Sequence, residues 1–139
     1  MILDQDKRLP DYATIASAGA WLTIECHSAA LRGGWHTDLL TGQPHSAKEQ
    51  HDKIPLRLCL IHSEISEALE GARKNRADDH LPARSNFEVE LADATIRIFD
   101  LAGSLGINLG DVIAEKMAYN AKRADHTPDA RRGAGGKAF

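Results

Sequence analysis

Two pairs of acidic residues, each with the same three-residue spacing, lie within apolar stretches of this sequence. Glu64 and Glu67 form the first pair, and Glu90 and Asp93 form the second. Three residues correspond to about one helical turn, with roughly 4.5 Å of rise, so each pair lies on one face of its helix. If the two helices pack together, a divalent cation is needed to offset the repulsion between the carboxylates. All-oxygen ligation favours Mg²⁺ or Mn²⁺ over zinc.

The alternative interpretation of each pair is an ordinary exposed charge, which is what most such pairs on helices are. Around Glu64 and Glu67, however, other polar residues already fill the outward arc of the helix. Gly71 lies on the same side as the pair, although a glycine inside a helix costs about 1 kcal/mol relative to alanine. Close approach of a neighbouring helix would explain that glycine, and this favours a packed acidic site.

The composition favours a helical protein. The chain has 139 residues, of which 42% are hydrophobic and 5% aromatic, and its apolar residues are mainly Ala, Leu and Ile. These residues favour helix over strand. The length fits a single all-α domain spanning residues 1–139. Its basic, glycine-rich tail, from about residue 124, is expected to be flexible.

The net charge, the cysteines and the hydropathy of the sequence indicate which partners and which cellular compartment to expect. The net charge of -3 gives no reason to expect nucleic acid as a partner. Cys26 and Cys59 form no CxxC pair, so we expect two reduced thiols in a cytoplasmic protein. No apolar run long enough for a membrane span occurs, and residues 1–20 lack the apolar core of a signal peptide.

Hydrophobic periodicity and capping residues predict four main helices. We expect them to span about residues 11–31, 55–74, 86–102 and 109–123. Asp11 is the expected cap of the first helix, and Ser85 with Glu88 has the spacing of a capping box before the third. Residues 35–53 are polar, and we expect a long loop there.

The predicted third helix is apolar around most of its circumference. Its polar residues occupy only a narrow stripe, which contains Glu90, Asp93, Arg97 and Asp100. A single small bundle has too few helices to cover such a surface. We therefore expect an all-α, four-helix bundle-type fold that oligomerises through its helices, as a homodimer or a homotetramer. Within the narrow stripe, Arg97 is expected to pair with nearby acids.

Two other designs of metal site fit the sequence less well. A di-iron bundle needs a histidine three residues after a glutamate on two helices, and no glutamate here is followed in this way. His51-Asp52 has the dipeptide of HD-type phosphohydrolases, but a single His-Asp is weak evidence, and this one lies in the expected loop. The paired carboxylates are therefore the best candidate site.

The acid pairs and their surroundings resemble a known enzyme family. Glu64-x-x-Glu67 and Glu90-x-x-Asp93, separated by residues 68–89, resemble the ExxE…ExxD signature of the MazG-like, all-α nucleoside triphosphate pyrophosphohydrolases. The resemblance covers roughly residues 20–123, and its supporting stretches are residues 61–70, 90–102 and the KxxxNxxR motif at 116–123.

This resemblance implies a MazG-like fold and Mg²⁺-dependent hydrolysis of a nucleoside triphosphate to the monophosphate and pyrophosphate. Mn²⁺ could replace Mg²⁺. The implied metal ligands and catalytic residues are Glu64, Glu67, Glu90 and Asp93. One of the four would act as the general base, and which one it is stays open, as do the base and sugar of the substrate.

The resemblance also implies substrate-binding residues. Lys116, Asn120 and Arg123 share one face of the fourth helix and are candidates to bind the triphosphate. Their alternative role is a solvated last turn, where cations favour the helix C-terminus. Trp35 is a candidate to stack on the base, although a tryptophan in a small domain is more often part of a core or an interface.

Two other functions stay open at this point. One is a non-catalytic helical oligomer that binds a nucleotide or a protein partner. The other is a phosphoribosyl-ATP pyrophosphatase, an enzyme that uses a similar scaffold. The presence of all four motif acids argues against the non-catalytic alternative, and a panel of substrates would distinguish the two enzymes.

Overall fold

The computed structural model of this protein describes residues 11–136, and this part of the chain is all-α. Its helices are α1 (Tyr12–Arg32), α2 (Ala47–Asp52), α3 (Ile54–Lys74), α4 (Asn86–Ser104), α5 (Leu109–Ala121) and α6 (Pro128–Arg132), with a 3-10 helix (Ala124–His126) before α6. Within these residues the only β-type pairing is two isolated bridges. The prediction of an all-α protein is therefore confirmed, and the four long helices lie close to their predicted positions.

The capping residues predicted from the sequence are present. The Asp11 side chain accepts a hydrogen bond from the Thr14 N–H at 3.1 Å. Ser85 and Glu88 form the predicted capping box at the start of α4. These side chains satisfy amide groups that the first turn of a helix cannot pair internally, and they fix where α1 and α4 begin.

The expected long loop at residues 35–53 is interrupted by the short helix α2. This helix begins after Ser46, which forms a capping box with Glu49. The same sequence signature predicted the start of α4, so the signal for α2 was present. It was missed because the short helix carries no apolar periodicity that marks it as packed.

Helices α3 and α4 form an antiparallel hairpin. Gly71, near the end of α3, lies against the start of α4, where an added Cβ atom would be 2.6 Å from Asn86 Oδ1. At the other end, the Arg57 Nη1 of α3 donates to Ser104 Oγ of α4 at 2.7 Å. The predicted close helix approach at Gly71 is confirmed, and any larger residue there would push the two helices apart.

The chain forms two compact units. One comprises residues 21–108, and the described part of the other comprises residues 11–20 and 109–136. In the second unit, Gly19 of α1 and Gly110 of α5 touch, since a Cβ atom added to Gly19 would lie 2.5 Å from Gly110 Cα. The prediction of a single domain over residues 1–139 stays a prediction.

Few large apolar side chains are buried in the described residues. The buried apolar residues are Ala68, Ala94, Phe99, Ala102 and Ala114. On the hairpin, the exposed large apolar residues are Leu56, Leu58, Leu60, Ile65, Leu69, Phe87, Leu91, Ile96 and Ile98. A single chain therefore leaves much of the apolar surface of α3 and α4 uncovered. No helix in residues 11–136 has both the length and the apolar character needed to cross a membrane.

The basic tail has local structure in its described part. Thr127 caps α6 by accepting a hydrogen bond from the Ala130 N–H at 3.2 Å, and Pro128 occupies the first turn of that helix. The flexibility expected from about residue 124 stays a prediction.

Candidate metal centre and adjoining cavity

Three of the four predicted acids meet between α3 and α4. Glu64, Glu90 and Asp93 each offer a carboxylate oxygen, and these atoms all lie within 4.8 Å of one another. Glu64 and Glu90 are each only 8% exposed. We call this group the acidic cluster. It exists because the antiparallel hairpin places the middle of α3 beside the first half of α4.

Glu67, the fourth predicted acid, lies outside the acidic cluster. It is exposed, and it follows Glu64 by about one turn of α3. Its charge nevertheless acts on the cluster, because it contributes to raising the pKa of Glu90. Glu67 therefore lies near the other three acids without being packed among them.

Within the acidic cluster, the Glu90 carboxyl holds its proton more tightly than an isolated glutamate does. Burial raises the pKa of Glu90 above its usual value, and the charge of Glu67 and a hydrogen bond with Glu64 raise it further. A hydrogen bond that Asn86 Nδ2 donates to Glu90 Oε1 at 2.7 Å acts in the opposite direction. Two carboxylates that crowd each other in this way gain from a nearby cation.

Asn86 fixes the position of Glu90 from the start of α4. It is buried, and its Oδ1 accepts hydrogen bonds from Arg76 Nε and Nη2 at 3.2 and 3.1 Å. Its Nδ2 also lies 3.3 Å from Asp78 Oδ2. From the sequence, this region was predicted only as the start of a helix. The four-residue spacing of Asn86 and Glu90 was the available signal.

One arginine neutralises part of the acidic cluster. Arg97 Nε donates to Glu64 Oε1 at 2.6 Å, which confirms the predicted pairing of Arg97 with a nearby acid. Arg97 comes from α4 and Glu64 from α3, so the ion pair also joins the two helices. Among residues 11–136, Arg97 is the only basic residue that forms an ion pair with the cluster.

A cavity of 520 Å³ adjoins the acidic cluster. Asp93, a member of the cluster, and Arg97, which is bonded to Glu64 of the cluster, both line this cavity. Trp35, His36 and Arg57 are among the other lining residues. The cavity therefore combines an acid of the cluster, two arginines and an aromatic ring. These are groups that can contact phosphate oxygens and a planar base.

Comparison with known proteins gives no match to this chain: no family model, no curated protein and no solved structure. The resemblance to MazG-like enzymes rests on the sequence motifs, and it stays a prediction.

A second polar group, which we call the histidine network, reaches the same cavity through His36, Arg57 and Asp100. His36 is 1% exposed, and its Nε2 lies 2.8 Å from Asp100 Oδ1. His27 Nδ1 lies 2.9 Å from the same oxygen. Arg57 Nη2 lies 2.8 Å from His36 Nδ1. His36 Nδ1 also lies 3.0 Å from Gln50 Oε1. Since a carboxylate can only accept, Nε2 is the nitrogen that donates to Asp100.

The sequence did not predict the histidine network. Its members come from α1, the following loop, α3 and α4, so no local spacing links them. Gly103 of α4 permits the contact, because an added Cβ atom would lie 2.5 Å from His27 Cβ. Without that close approach, the His27 ring could not reach Asp100.

Trp35 is 77% exposed and lines the cavity. Its position is compatible with the predicted role in stacking on a base, and it excludes a role in the core of a single chain. The backbone around it is a tight turn, in which the Trp35 N–H donates to the Ala30 carbonyl at 3.1 Å. The turn that ends α1 therefore presents the ring at the cavity.

The predicted triphosphate-binding residues belong to the unit that contains α5. Lys116 Nζ lies 4.7 Å from the centre of the Tyr119 ring. Arg123 lies beyond the end of α5, which stops at Ala121, and its guanidinium makes two hydrogen bonds to Asp125, at 3.0 and 2.6 Å. The predicted helix, which extended to Arg123, is thus too long, and both ends of the Arg123 guanidinium already bind Asp125.

Asn120 Oδ1 is buried without a hydrogen-bond partner among residues 11–136.

Proposed function

We propose that this protein is a Mg²⁺-dependent, MazG-like hydrolase that converts a nucleoside triphosphate to the monophosphate and pyrophosphate. The observation that carries the proposal is the meeting of Glu64, Glu90 and Asp93 beside a cavity of 520 Å³. Cavities that hold small molecules are typically about 300–1,000 Å³, so a nucleotide fits in size. The sequence motifs support the same activity.

The donor set of the acidic cluster fits a hard divalent cation. All three groups are carboxylates, and two of them are largely buried, so their charges need a partner of opposite sign. When bound, Mg²⁺ would offset the charge of the phosphate oxygens and activate a water molecule. Mn²⁺ has the same preference for oxygen ligands.

We assign different roles to the buried and the exposed acids of the site. The buried acids Glu64 and Glu90, with Asp93, would hold the cation. Glu67 is exposed and outside the cluster, so it is free to accept a proton from the attacking water, and we propose it as the general base. The oxygen of the water would bond to one of the two phosphorus atoms joined by the α–β bridge, and the bond from that phosphorus to the bridging oxygen would break, so that the monophosphate and pyrophosphate are released.

We also propose that the protein acts as a homodimer or homotetramer in the cytoplasm. The support for an oligomer is the set of large apolar side chains that α3 and α4 leave exposed in one chain, since such surfaces mark interfaces. Both cysteines are free, as expected in a reducing compartment. Light scattering at micromolar concentration tests the oligomer, and a clean monomer would contradict it.

The activity is tested by measuring pyrophosphate release from a panel of ribo- and deoxyribonucleoside triphosphates, with and without Mg²⁺. The panel should include modified nucleotides and phosphoribosyl-ATP. We expect release from at least one substrate only when the metal is present. If no compound yields pyrophosphate, the hydrolase proposal is wrong, and the non-catalytic alternative takes its place.

A further inference from the structure

Only one of the three nitrogens of the Arg97 guanidinium forms a hydrogen bond with residues 11–136. Its Nε donates to Glu64 Oε1 at 2.6 Å. Its two terminal nitrogens make no hydrogen bond to any residue between 11 and 136. The side chain is 42% exposed and lines the cavity beside Asp93. Arg97 therefore has a fixed anchor on one side and free donors on the other.

The second arginine of the cavity differs in this respect. Arg57 Nη1 donates to Ser104 Oγ at 2.7 Å, and its Nη2 donates to Gln50 Oε1 at 2.6 Å and also contacts His36. Both terminal nitrogens of Arg57 are thus committed to the protein itself. Of the two guanidinium groups in the cavity, Arg97 is the one with donors to spare for a ligand.

We propose that Arg97 forms a phosphate subsite, in which its terminal nitrogens bind oxygens of the substrate's phosphate chain. Glu64 holds the guanidinium in place through Nε. The paired terminal nitrogens form the fork that binds phosphate in a bidentate manner. This inference rests on the proposed function, because the same Glu64 belongs to the acidic cluster that would hold the metal.

The phosphate subsite would recognise the phosphate chain of the substrate. A ligand that contacts both a cation held by the acidic cluster and Arg97 needs anionic oxygens for each, as a polyphosphate chain has. Arg123, which the sequence placed among the triphosphate-binding residues, has its fork engaged by Asp125. Arg97 needs no such rearrangement, so we assign it a phosphate contact that the sequence motifs did not indicate.

The test is calorimetric titration of the full-length protein with inorganic tripolyphosphate in the presence of Mg²⁺. The probe carries no base or sugar, so it reports on phosphate contacts alone. We expect Arg97→Gln to weaken tripolyphosphate binding at least about tenfold, as for the loss of a charged hydrogen bond. With a nucleotide substrate, the same variant should raise KM more than it lowers kcat. Unchanged affinity for tripolyphosphate would overturn the proposal.

A matched control is Arg73→Gln. Arg73 is also an α3–α4 hairpin arginine paired with a glutamate, Glu70, but it is exposed and does not line the cavity. Lys74 lies 2.7 Å from Glu70 and keeps that acid paired in the variant. We expect Arg73→Gln to bind tripolyphosphate within about twofold of the unsubstituted protein, because exposed ion pairs contribute little. An equal loss in both variants would mean that general charge, and not the subsite, determines binding.

Titration with Mg²⁺ alone separates this inference from the proposed function. The unsubstituted protein and Arg97→Gln should both bind Mg²⁺, because Arg97 is not a ligand. If both bind the metal and tripolyphosphate equally well, only the phosphate subsite is wrong. If the unsubstituted protein binds no Mg²⁺, both proposals are wrong.

A second variant guards against misfolding of Arg97→Gln, which circular dichroism would reveal. Arg97→Lys keeps a cation beside Glu64 but lacks the fork. We expect it to bind tripolyphosphate at least about threefold more weakly than the unsubstituted protein, because its ammonium keeps the charge but cannot form the two parallel hydrogen bonds of the fork. Equal binding would overturn the bidentate contact.

Discussion

Two aspartates on the same helix have opposite surroundings. Asp93 and Asp100 are seven residues apart on α4, which is about two turns, and both line the cavity. Asp93 lies with Glu64 and Glu90, so it belongs to a group of three carboxylates in which, among residues 11–136, only Glu64 has an ion-pair partner, Arg97. Asp100 accepts hydrogen bonds from two histidines through one oxygen.

This difference shows that the residues around an acid, and not its residue type or its helix face, determine whether it is suited to bind a cation or to form structural hydrogen bonds. The acidic cluster has more acceptors than donors, and the pKa of Glu90 is raised chiefly because it is buried. In the histidine network, the imidazole groups of His27 and His36 supply the hydrogen-bond donors for Asp100. The first group is therefore suited to bind a cation, and the second is suited to hold α1, the following loop and α4 together.

The largest effect should come from the acids around the proposed metal. We expect Glu67→Gln and Asp93→Asn each to lower turnover at least about 100-fold, as for the loss of a general base or a required ligand. The helical circular-dichroism spectrum should stay the same. Titration with Mg²⁺ should show binding to Glu67→Gln and none to Asp93→Asn. Full activity in both variants would refute the assignment of the site.

The metal should also stabilise the fold through the acidic cluster. At a Mg²⁺ concentration about 100 times the dissociation constant, the free energy of unfolding should rise by about 2.7 kcal/mol. The increase should disappear with a chelator and in Asp93→Asn. Thermal or urea unfolding with and without Mg²⁺ measures it, and equal stabilisation of Asp93→Asn would show that the metal binds elsewhere.

The histidine network should respond to substitution in stability and not in metal binding. We expect Asp100→Asn to lower the free energy of unfolding by about 1–2 kcal/mol, because the charged acceptor of two imidazole N–H groups is lost. Urea unfolding measures the change. The extra stability provided by Mg²⁺ should be the same as in the unsubstituted protein. A loss of that increment would mean that the two groups are not independent.

The smallest effect should be the pH dependence of Glu90 in metal-free protein. Its pKa is raised in the folded state, so the protonated form favours folding. The contribution is complete below the unfolded value of 4.5 and is lost as the pH rises through the folded pKa. The difference in unfolding free energy between the unsubstituted protein and Glu90→Gln should therefore change over this range. A constant difference would contradict the crowding of the acidic cluster.

Local spacing in the sequence predicted the parts of the site that depend on one helix or on two adjacent ones. The capping box at Ser85 and the close approach at Gly71 follow from residues a few positions apart, and the structure places them as expected. Of the two acid pairs, Glu64, Glu90 and Asp93 come together, whereas Glu67 lies outside the acidic cluster. Helix α2 could have been predicted from the spacing of Ser46 and Glu49, a signal that was present but not used.

The histidine network could not be predicted in this way. His27 and Asp100 are 73 positions apart, and their contact depends on how α1 packs on α4. The same holds for the free nitrogens of Arg97. The sequence indicates that this arginine pairs with an acid, but which of its nitrogens stay free depends on side-chain geometry that only the folded hairpin defines.

The antiparallel α3–α4 hairpin has a consequence for the order of folding. Its two helices and their linker are continuous in sequence, from Ile54 to Ser104, whereas the histidine network must bring His27 to Asp100. Contacts between neighbouring segments close short loops and form faster than distant ones. We therefore expect the acids from both helices to come together early, while α1 is still undocked. A newly made chain would then have its proposed cation ligands assembled before the wall of its cavity is complete.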